Sequence, residues 1–202
     1  MNTLTEIKST FDNLNINLSD TVIQELLELL FKTESVQPNH DLQQWVYVDL
    51  QSDFVKKTDL IEEIDWEDLK HWLKGDRGKF LFIKVYHPEA DAYKCNVDGF
   101  FNSIVDLQKI ESIYSYDFVS IKDVIVLDHN DGADLPFMRL LCSLETPSGA
   151  NVDKLGLSVE GEIISPVNNK FILFDPSKQH EAWNHTNQWW KFFIIDIKRS
   201  YL

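Results

Sequence analysis

The feature of this sequence that most constrains its fold is a series of short apolar runs in the C-terminal half. Turn residues such as Asp131-Gly132, Pro147-Ser148-Gly149 and Asp175-Pro176 separate these runs. Regularly spaced short strands predict a sandwich or a barrel, and a jelly roll leaves a mouth between its two sheets. The runs cover residues 118–122, 123–127, 138–144, 156–160, 170–174 and 189–197.

The N-terminal half is predicted to contain more helix. Ser19 or Asp20 can cap a helix whose apolar residues recur mostly at helical spacing, and Gly75 follows a second helical pattern. Alternating and β-branched runs in the same half predict two strands. The predicted helices span residues 21–32, 58–73 and 100–116, and the predicted strands span residues 45–50 and 79–86.

The chain is predicted to form a single domain over residues 1–202, because no convincing boundary divides it. Residues 1–116 are expected to form a helix-rich N-terminal layer with some strands, and residues 117–202 the jelly-roll core with the functional site. The hydrophobic fraction of 44% is enough for one sizeable core.

Charge and composition limit the classes of partner. The formal net charge of -14 repels phosphate backbones, so nucleic acid is not expected as a partner, although such a charge often serves solubility alone. The two cysteines, Cys95 and Cys142, form no CxxC motif and fit a reducing compartment. The sequence begins with no signal-peptide pattern and has no apolar run long enough to span a membrane. A cytoplasmic protein without membrane contact is therefore expected.

Three polar residues between the apolar runs form a candidate metal site. His129 and Asp131 stand two positions apart, so on a strand they point to the same side, and Gly132 then lets the chain turn away. His180 follows a later strand and turn. Two imidazoles and one carboxylate are the ligands of an Fe(II) site that keeps open positions. The alternatives are a charged surface loop for the first pair and a turn histidine for the third.

The segments around these residues resemble a known family. FILFDPSKQHEAWN, followed by FFIIDI, is similar to the distal-histidine region of the aspartyl/asparaginyl β-hydroxylase family of 2-oxoglutarate-dependent oxygenases. HNDGADLPFMRLLCSLETP is similar to the proximal-histidine region of the same family. The resemblance covers only the C-terminal part of the chain. It implies a mainly β chain with N-terminal helices, folded as a double-stranded β-helix (jelly roll, cupin-like).

The resemblance also implies an activity and a set of site residues. His129, Asp131 and His180 would bind Fe(II) and serve as the catalytic residues. Arg139 would contact a carboxylate of the cosubstrate 2-oxoglutarate, since a guanidinium fork matches a carboxylate; the alternative is a surface salt bridge. The enzyme would be an Fe(II)/2-oxoglutarate-dependent dioxygenase that hydroxylates an amino acid, free or within a peptide. Its partner would thus be a small-molecule or peptide substrate.

The sequence departs from the family pattern at the second arginine. Trp190 stands at that position, and the nearest cation is Lys191, which would then bind the cosubstrate as a point charge. Strand alternation sends Trp190 and Lys191 to opposite faces, so only one can face the mouth. Two alternatives stay open: a non-catalytic β-sandwich binding protein derived from this fold, and an iron dioxygenase that does not use 2-oxoglutarate. The sequence assigns neither the substrate nor the oligomeric state.

Overall fold

The fold was analysed in a computed structural model of the chain. The structure describes residues 44–52, 54–57, 71–86, 111–168 and 170–202, together with Asp20. The predicted helix 21–32 and most of the predicted helices 58–73 and 100–116 lie outside the described residues. The described strands are β1 Gln44–Asp49, β2 Phe54–Lys57, β3 Leu73–Lys74, β4 Lys79–Tyr86, β5 Ile113–Lys122, β6 Val124–His129, β7 Phe137–Glu145, β8 Leu155–Val159, β9 Glu162–Ile164, β10 Phe171–Phe174, β11 His180–Asn184 and β12 Trp190–Lys198; a 3-10 helix follows at Arg199–Tyr201.

The described strands form two antiparallel sheets. The seven-stranded sheet has the order β10-β7-β12-β5-β4-β1-β2, and the five-stranded sheet has the order β3-β6-β11-β8-β9. From β5 onwards the chain crosses repeatedly from one sheet to the other, and only β8 and β9 follow each other in the same sheet. This order is that of a double-stranded β-helix. The chain is therefore a mainly β protein with the two-sheet jelly-roll (cupin) fold, as the turn-separated runs predicted.

Local backbone geometry explains two of these connections. Asp123 joins β5 to β6 with a φ of 49°, a left-handed conformation that Asp tolerates better than most residues. Glu160 and Gly161 join β8 to β9, and both have positive φ. A two-residue loop of that kind matches the twist of the strands it connects. The first turn carries the chain from the seven-stranded to the five-stranded sheet, and the second pairs β8 with β9.

The core lies between the two sheets. On β12, Trp190 and Phe192 belong to the buried cluster between the sheets, whereas Phe193 and Ile195 are buried on the other face of the strand. This alternation is what a strand requires. Trp190 is fully buried, and its indole N–H donates to the Ser143 hydroxyl over 3.1 Å. The seven-stranded sheet thus carries apolar side chains on both of its faces.

One element prediction was wrong. The described end of the predicted helix 100–116 belongs to β5, where Ile113 lies opposite Ile197 of β12. Ile113, Tyr114 and Tyr116 are residues that favour strands, and pairing with β12 and β4 outweighs any local helical preference. The strand predictions for residues 45–50 and 79–86 are confirmed by β1 and β4.

In the described ranges, the structure contains no helix of the length and apolarity that crossing a bilayer requires.

Candidate metal centre

The topology brings the three candidate ligands to one end of the five-stranded sheet. His129 is the last residue of β6 and His180 is the first residue of β11. The two strands are antiparallel neighbours, and their register sets His180 directly opposite His129. Asp131 follows two residues after His129, and its N–H donates to the Pro176 carbonyl over 3.0 Å. That hydrogen bond ties the loop after β6 to the turn before β11.

The ligand atoms of these residues converge. Asp131 Oδ1 lies 3.3 Å from His129 Nε2 and 3.7 Å from His180 Nε2, and the two imidazole rings are 4.3 Å apart at their centroids. One ligand atom from each residue can be chosen so that all three lie within 4.8 Å of one another. Two ligands that bind one ion at about 2.1 Å are roughly 3 to 4 Å apart, so the three groups need only a small adjustment to share an ion. The predicted convergence of His129, Asp131 and His180 is present.

Hydrogen bonds fix the tautomer of both histidines. His129 Nδ1 lies 2.6 Å from the Leu127 carbonyl, and His180 Nδ1 lies 2.9 Å from the Lys178 carbonyl. A carbonyl oxygen only accepts, so each Nδ1 must carry the proton and donate it. In the neutral imidazole, Nε2 then keeps its lone pair for a metal ion. Such a contact to the second ring nitrogen is how proteins orient metal-binding histidines.

The pKa shifts at the site favour the metal-binding forms of Asp131 and His180, whereas the raised pKa of His129 favours its protonated form. Burial would raise the pKa of the Asp131 carboxyl, but its hydrogen bond to His129 and the charge of Arg139 outweigh it and hold that pKa well below its usual range. Burial lowers the pKa of His180 below its ordinary value. Burial also lowers the pKa of His129, but the contacts with Asp131 and the Leu127 carbonyl outweigh it and raise that pKa overall. Near neutral pH, Asp131 is ionised and His180 is neutral.

The Arg139 guanidinium lies beside the carboxylate ligand. On β7, Arg139 pairs with Asp131 Oδ2 through one terminal nitrogen. Its Nε and its other terminal nitrogen donate to the two carboxylate oxygens of Asp196 on β12, over 2.9 and 3.0 Å. The Ser115 hydroxyl donates to the same Asp196 carboxylate over 2.8 Å. Arg139 is thus at the predicted centre, where it contacts two carboxylates of the chain itself.

A comparison with known protein families finds a match that includes this centre. Residues 103–200 match the aspartyl/asparaginyl β-hydroxylase family. This range, the hydroxylase segment, contains all three candidate ligands, as the quoted motifs predicted. No curated protein matches the sequence.

Solved structures are similar to the chain at low identity. An oxidoreductase of the 2OG-Fe(II) oxygenase family from Burkholderia pseudomallei has a TM-score of 0.44 at 12% identity, over 60% of this chain and 67% of that one. The Cnp3 cupin domain of Schizosaccharomyces pombe has a TM-score of 0.39 at 7% identity, over 78% and 90%. The EutQ protein of Clostridium difficile has a TM-score of 0.37 at 8% identity, over 77% and 95%.

Trp183 and Asn184, which follow His180 in the hydroxylase segment, make contacts that hold β11 in place. The Trp183 ring packs against Gly156 of β8 so closely that a Cβ at this glycine would overlap it. The buried Asn184 donates to the carbonyls of Ile121 and Gln188 over 2.9 and 2.8 Å. These contacts fix β11 against β8 and against the turn that leads to β12. They hold the strand that begins with His180.

Trp190 and Lys191 of the hydroxylase segment lie on opposite faces of β12, as alternation predicted. Trp190 faces the core between the sheets, whereas Lys191 Nζ pairs with Glu145 at 2.6 Å. Both precede Asp196 on the same strand. At about 3.3 Å per residue, the backbone of Lys191 is roughly 17 Å along β12 from that of Asp196. The structure therefore does not bring Lys191 to the other four predicted site residues.

Sequence reasoning missed an aromatic neighbour of the centre from outside the hydroxylase segment. The Trp72 ring makes an edge contact with the His129 ring, with centroids 4.9 Å apart, and keeps 40% of its surface exposed. Trp72 reaches this place because β3, which follows it, pairs with β6. A signal was present, since the helical pattern of residues 58–73 ends in a tryptophan. Only the long-range pairing of β3 with β6 reveals its position.

Proposed function

We propose that this chain is an Fe(II)- and 2-oxoglutarate-dependent dioxygenase that hydroxylates an amino acid, free or within a peptide. The observation that carries the proposal is the convergence of His129, Asp131 and His180 at one end of a jelly roll. The match of residues 103–200 to the hydroxylase family supports the same chemistry. Two histidines and a carboxylate are the protein ligands of non-haem iron oxygenases, and they leave positions open for other ligands.

The residues of the chain fit the iron and have distinct tasks around it. His129 Nε2, Asp131 Oδ1 and His180 Nε2 would hold the ion, and the Leu127 and Lys178 carbonyls keep both rings oriented for it. When bound, iron with 2-oxoglutarate and O₂ supplies the oxidation of an unactivated C–H bond. The buried Phe174 ring lies 5.2 Å from the His180 ring and would exclude water from this side of the bound ion. The exposed face of Trp72 is open to a substrate.

Oxygenase activity is tested with the iron-loaded protein. Anaerobic titration of Fe(II) and then 2-oxoglutarate is expected to produce a weak visible charge-transfer band. Admission of O₂ with candidate amino acids and peptides is expected to release succinate. A protein that binds Fe(II) but gives neither the band nor succinate would contradict the use of 2-oxoglutarate.

The sequence predicts Arg139 and Lys191 as the cosubstrate ligands, and their positions in the structure predict unequal effects of substitution. Lys191 is paired with Glu145 far along β12 from the centre. Lys191→Met is therefore expected to leave the dissociation constant of 2-oxoglutarate for the iron-loaded protein within about threefold, since losing a direct charge-assisted contact costs about tenfold or more. The measurement is titration of the charge-transfer band. Glu145→Gln, which frees the same lysine, is the control, and a tenfold weakening by Lys191→Met would make Lys191 the ligand.

A second candidate function is an iron dioxygenase that does not use 2-oxoglutarate. It is favoured by the side chains at the two family arginine positions. Trp190 fills one position and is buried in the core, and Arg139 at the other position already contacts Asp131 and Asp196. Oxidation of a substrate by the iron-loaded protein and O₂ without 2-oxoglutarate would support this candidate over the first.

Trp72 is predicted to form one wall of the substrate site. Trp72→Ala is expected to lower kcat/KM by about tenfold, because an aromatic ring that loses contact with a bound group typically costs about 1 to 2 kcal/mol. Steady-state kinetics with the best substrate provide the measurement, and the Fe(II) dissociation constant should stay within about twofold. Trp72→Phe is the matched control and should retain most of the activity. An unchanged kcat/KM for Trp72→Ala would place the substrate elsewhere.

A further inference from the structure

The Arg139 side chain joins the candidate ligand Asp131 to a second carboxylate that is almost fully buried. Asp196 keeps only 3% of its side-chain surface exposed, and its two oxygens accept from Arg139 Nε and from one terminal nitrogen. A buried carboxylate is stable only when it is paired and hydrogen-bonded. The forked contact with Asp196, together with the Ser115 hydroxyl, therefore fixes the plane of the Arg139 guanidinium.

The remaining terminal nitrogen of Arg139 faces the metal centre. It pairs with Asp131 Oδ2, whereas Asp131 Oδ1 is the oxygen that lies 3.3 and 3.7 Å from the two histidine Nε2 atoms. The backbone N–H of Asp131 is held as well, by the Pro176 carbonyl. Asp131 is thus held at its backbone N–H and at its carboxylate Oδ2. Its Oδ1 is directed at the two histidines.

We propose that Arg139, fixed by Asp196 and Ser115, is a positioning residue that presents Asp131 to the metal through Oδ1 alone. The proposal rests on the metal centre of the proposed function, and it gives Arg139 a role that acts through Asp131. If Arg139 served only to stabilise the pairing of β7 with β12, its ion pair with Asp196 would be sufficient. The third contact, to Asp131, is the one that a positioning role requires, because groups behind a ligand set its orientation and its affinity for the ion.

The test uses Co(II) alone as the probe, so that no turnover is needed. Arg139→Lys keeps the positive charge and loses the fork. We expect it to weaken Co(II) binding by about 10-fold to 100-fold, the usual effect of removing a group behind a metal ligand. The visible d–d absorption of bound Co(II) is expected to change as well, because Oδ2 becomes free to approach the ion. Lys79→Arg, a charge-conserving exchange at the ion pair with Asp49 between β4 and β1, is the control and should leave both quantities unchanged.

A double-mutant cycle separates positioning from a general effect on the fold. In an Asp131→Ala background, Arg139→Lys is expected to change the Co(II) dissociation constant by less than about twofold, because the carboxylate through which it acts is gone. An equal loss in both backgrounds would overturn the proposal. An unchanged Co(II) affinity and spectrum for Arg139→Lys in the otherwise native protein would overturn it too.

Asp196→Asn provides a second variant if Arg139→Lys does not fold. The amide has nearly the same shape as the carboxylate but weakens the fork, and the same direction of change in Co(II) affinity and spectrum is expected. A native affinity and spectrum for Asp196→Asn would overturn the proposal. A wild-type protein that binds Co(II) but releases no succinate with iron would count against the proposed function alone. A wild-type protein that binds no Co(II) would overturn both.

Discussion

His180→Ala is expected to remove metal binding almost completely. The substitution takes away one of three protein ligands, and even groups behind a ligand are worth 10-fold to 100-fold in affinity, so the Fe(II) or Co(II) dissociation constant should rise by at least about 100-fold. Equilibrium dialysis followed by metal analysis measures the loss. The charge-transfer band with Fe(II) and 2-oxoglutarate should vanish in the same variant.

His185→Ala is the matched control for this experiment. His185 is exposed, and its backbone N–H donates to the Lys154 carbonyl, so removing the imidazole should leave that contact in place. Its metal affinity should equal that of the native protein. Equal losses from the two variants would show that metal binds through surface histidines in general, and retention of metal by His180→Ala would contradict the assigned centre.

Trp190→Ala is expected to cause the largest loss of stability. Trp190 has no exposed surface, and truncating a buried aromatic residue of this size costs about 3 to 5 kcal/mol in the free energy of unfolding. It also leaves the Ser143 hydroxyl without the indole donor. Urea unfolding followed by fluorescence or circular dichroism provides the measurement, provided that the slope against denaturant is unchanged.

Two further substitutions make this stability experiment specific. Trp190→Phe keeps most of the apolar volume and should lose less than Trp190→Ala. Trp189→Ala removes the same kind of ring from the preceding, partly exposed position and should cost clearly less as well. A loss below about 1 kcal/mol for Trp190→Ala would mean that the core between the sheets does not depend on this ring.

The sequence predicted the fold through patterns that are local. Short β-branched and aromatic runs between turn residues identify strands without reference to their partners. That is why the jelly roll was predictable and why β1 and β4 were placed correctly. The prediction was wrong at Ile113 and Tyr114, where pairing with distant strands decides the conformation. A local propensity carries no information about a partner that lies far along the chain.

The same distinction applies to the metal centre. His129, Asp131 and His180 were identified because two motifs place them at the ends of predicted strands. Asp196 was visible only as the end of an apolar run, and its role as the partner of Arg139 depends on the register between β7 and β12. Trp72 reaches His129 through a strand of only two residues, β3. Contacts set by long-range register were not predictable from one sequence.

The register that sets His180 opposite His129 also determines how a bound metal ion would stabilise the fold. An ion held by both would act as a cross-link between β6 and β11 and would close a loop containing everything from residue 130 to residue 179. Ligands that bind only the native state stabilise it by mass action, and closing a long loop restricts the unfolded chain. Amide hydrogens at the facing ends of these two strands should therefore exchange more slowly after metal is added, and they would report occupancy without any catalytic assay.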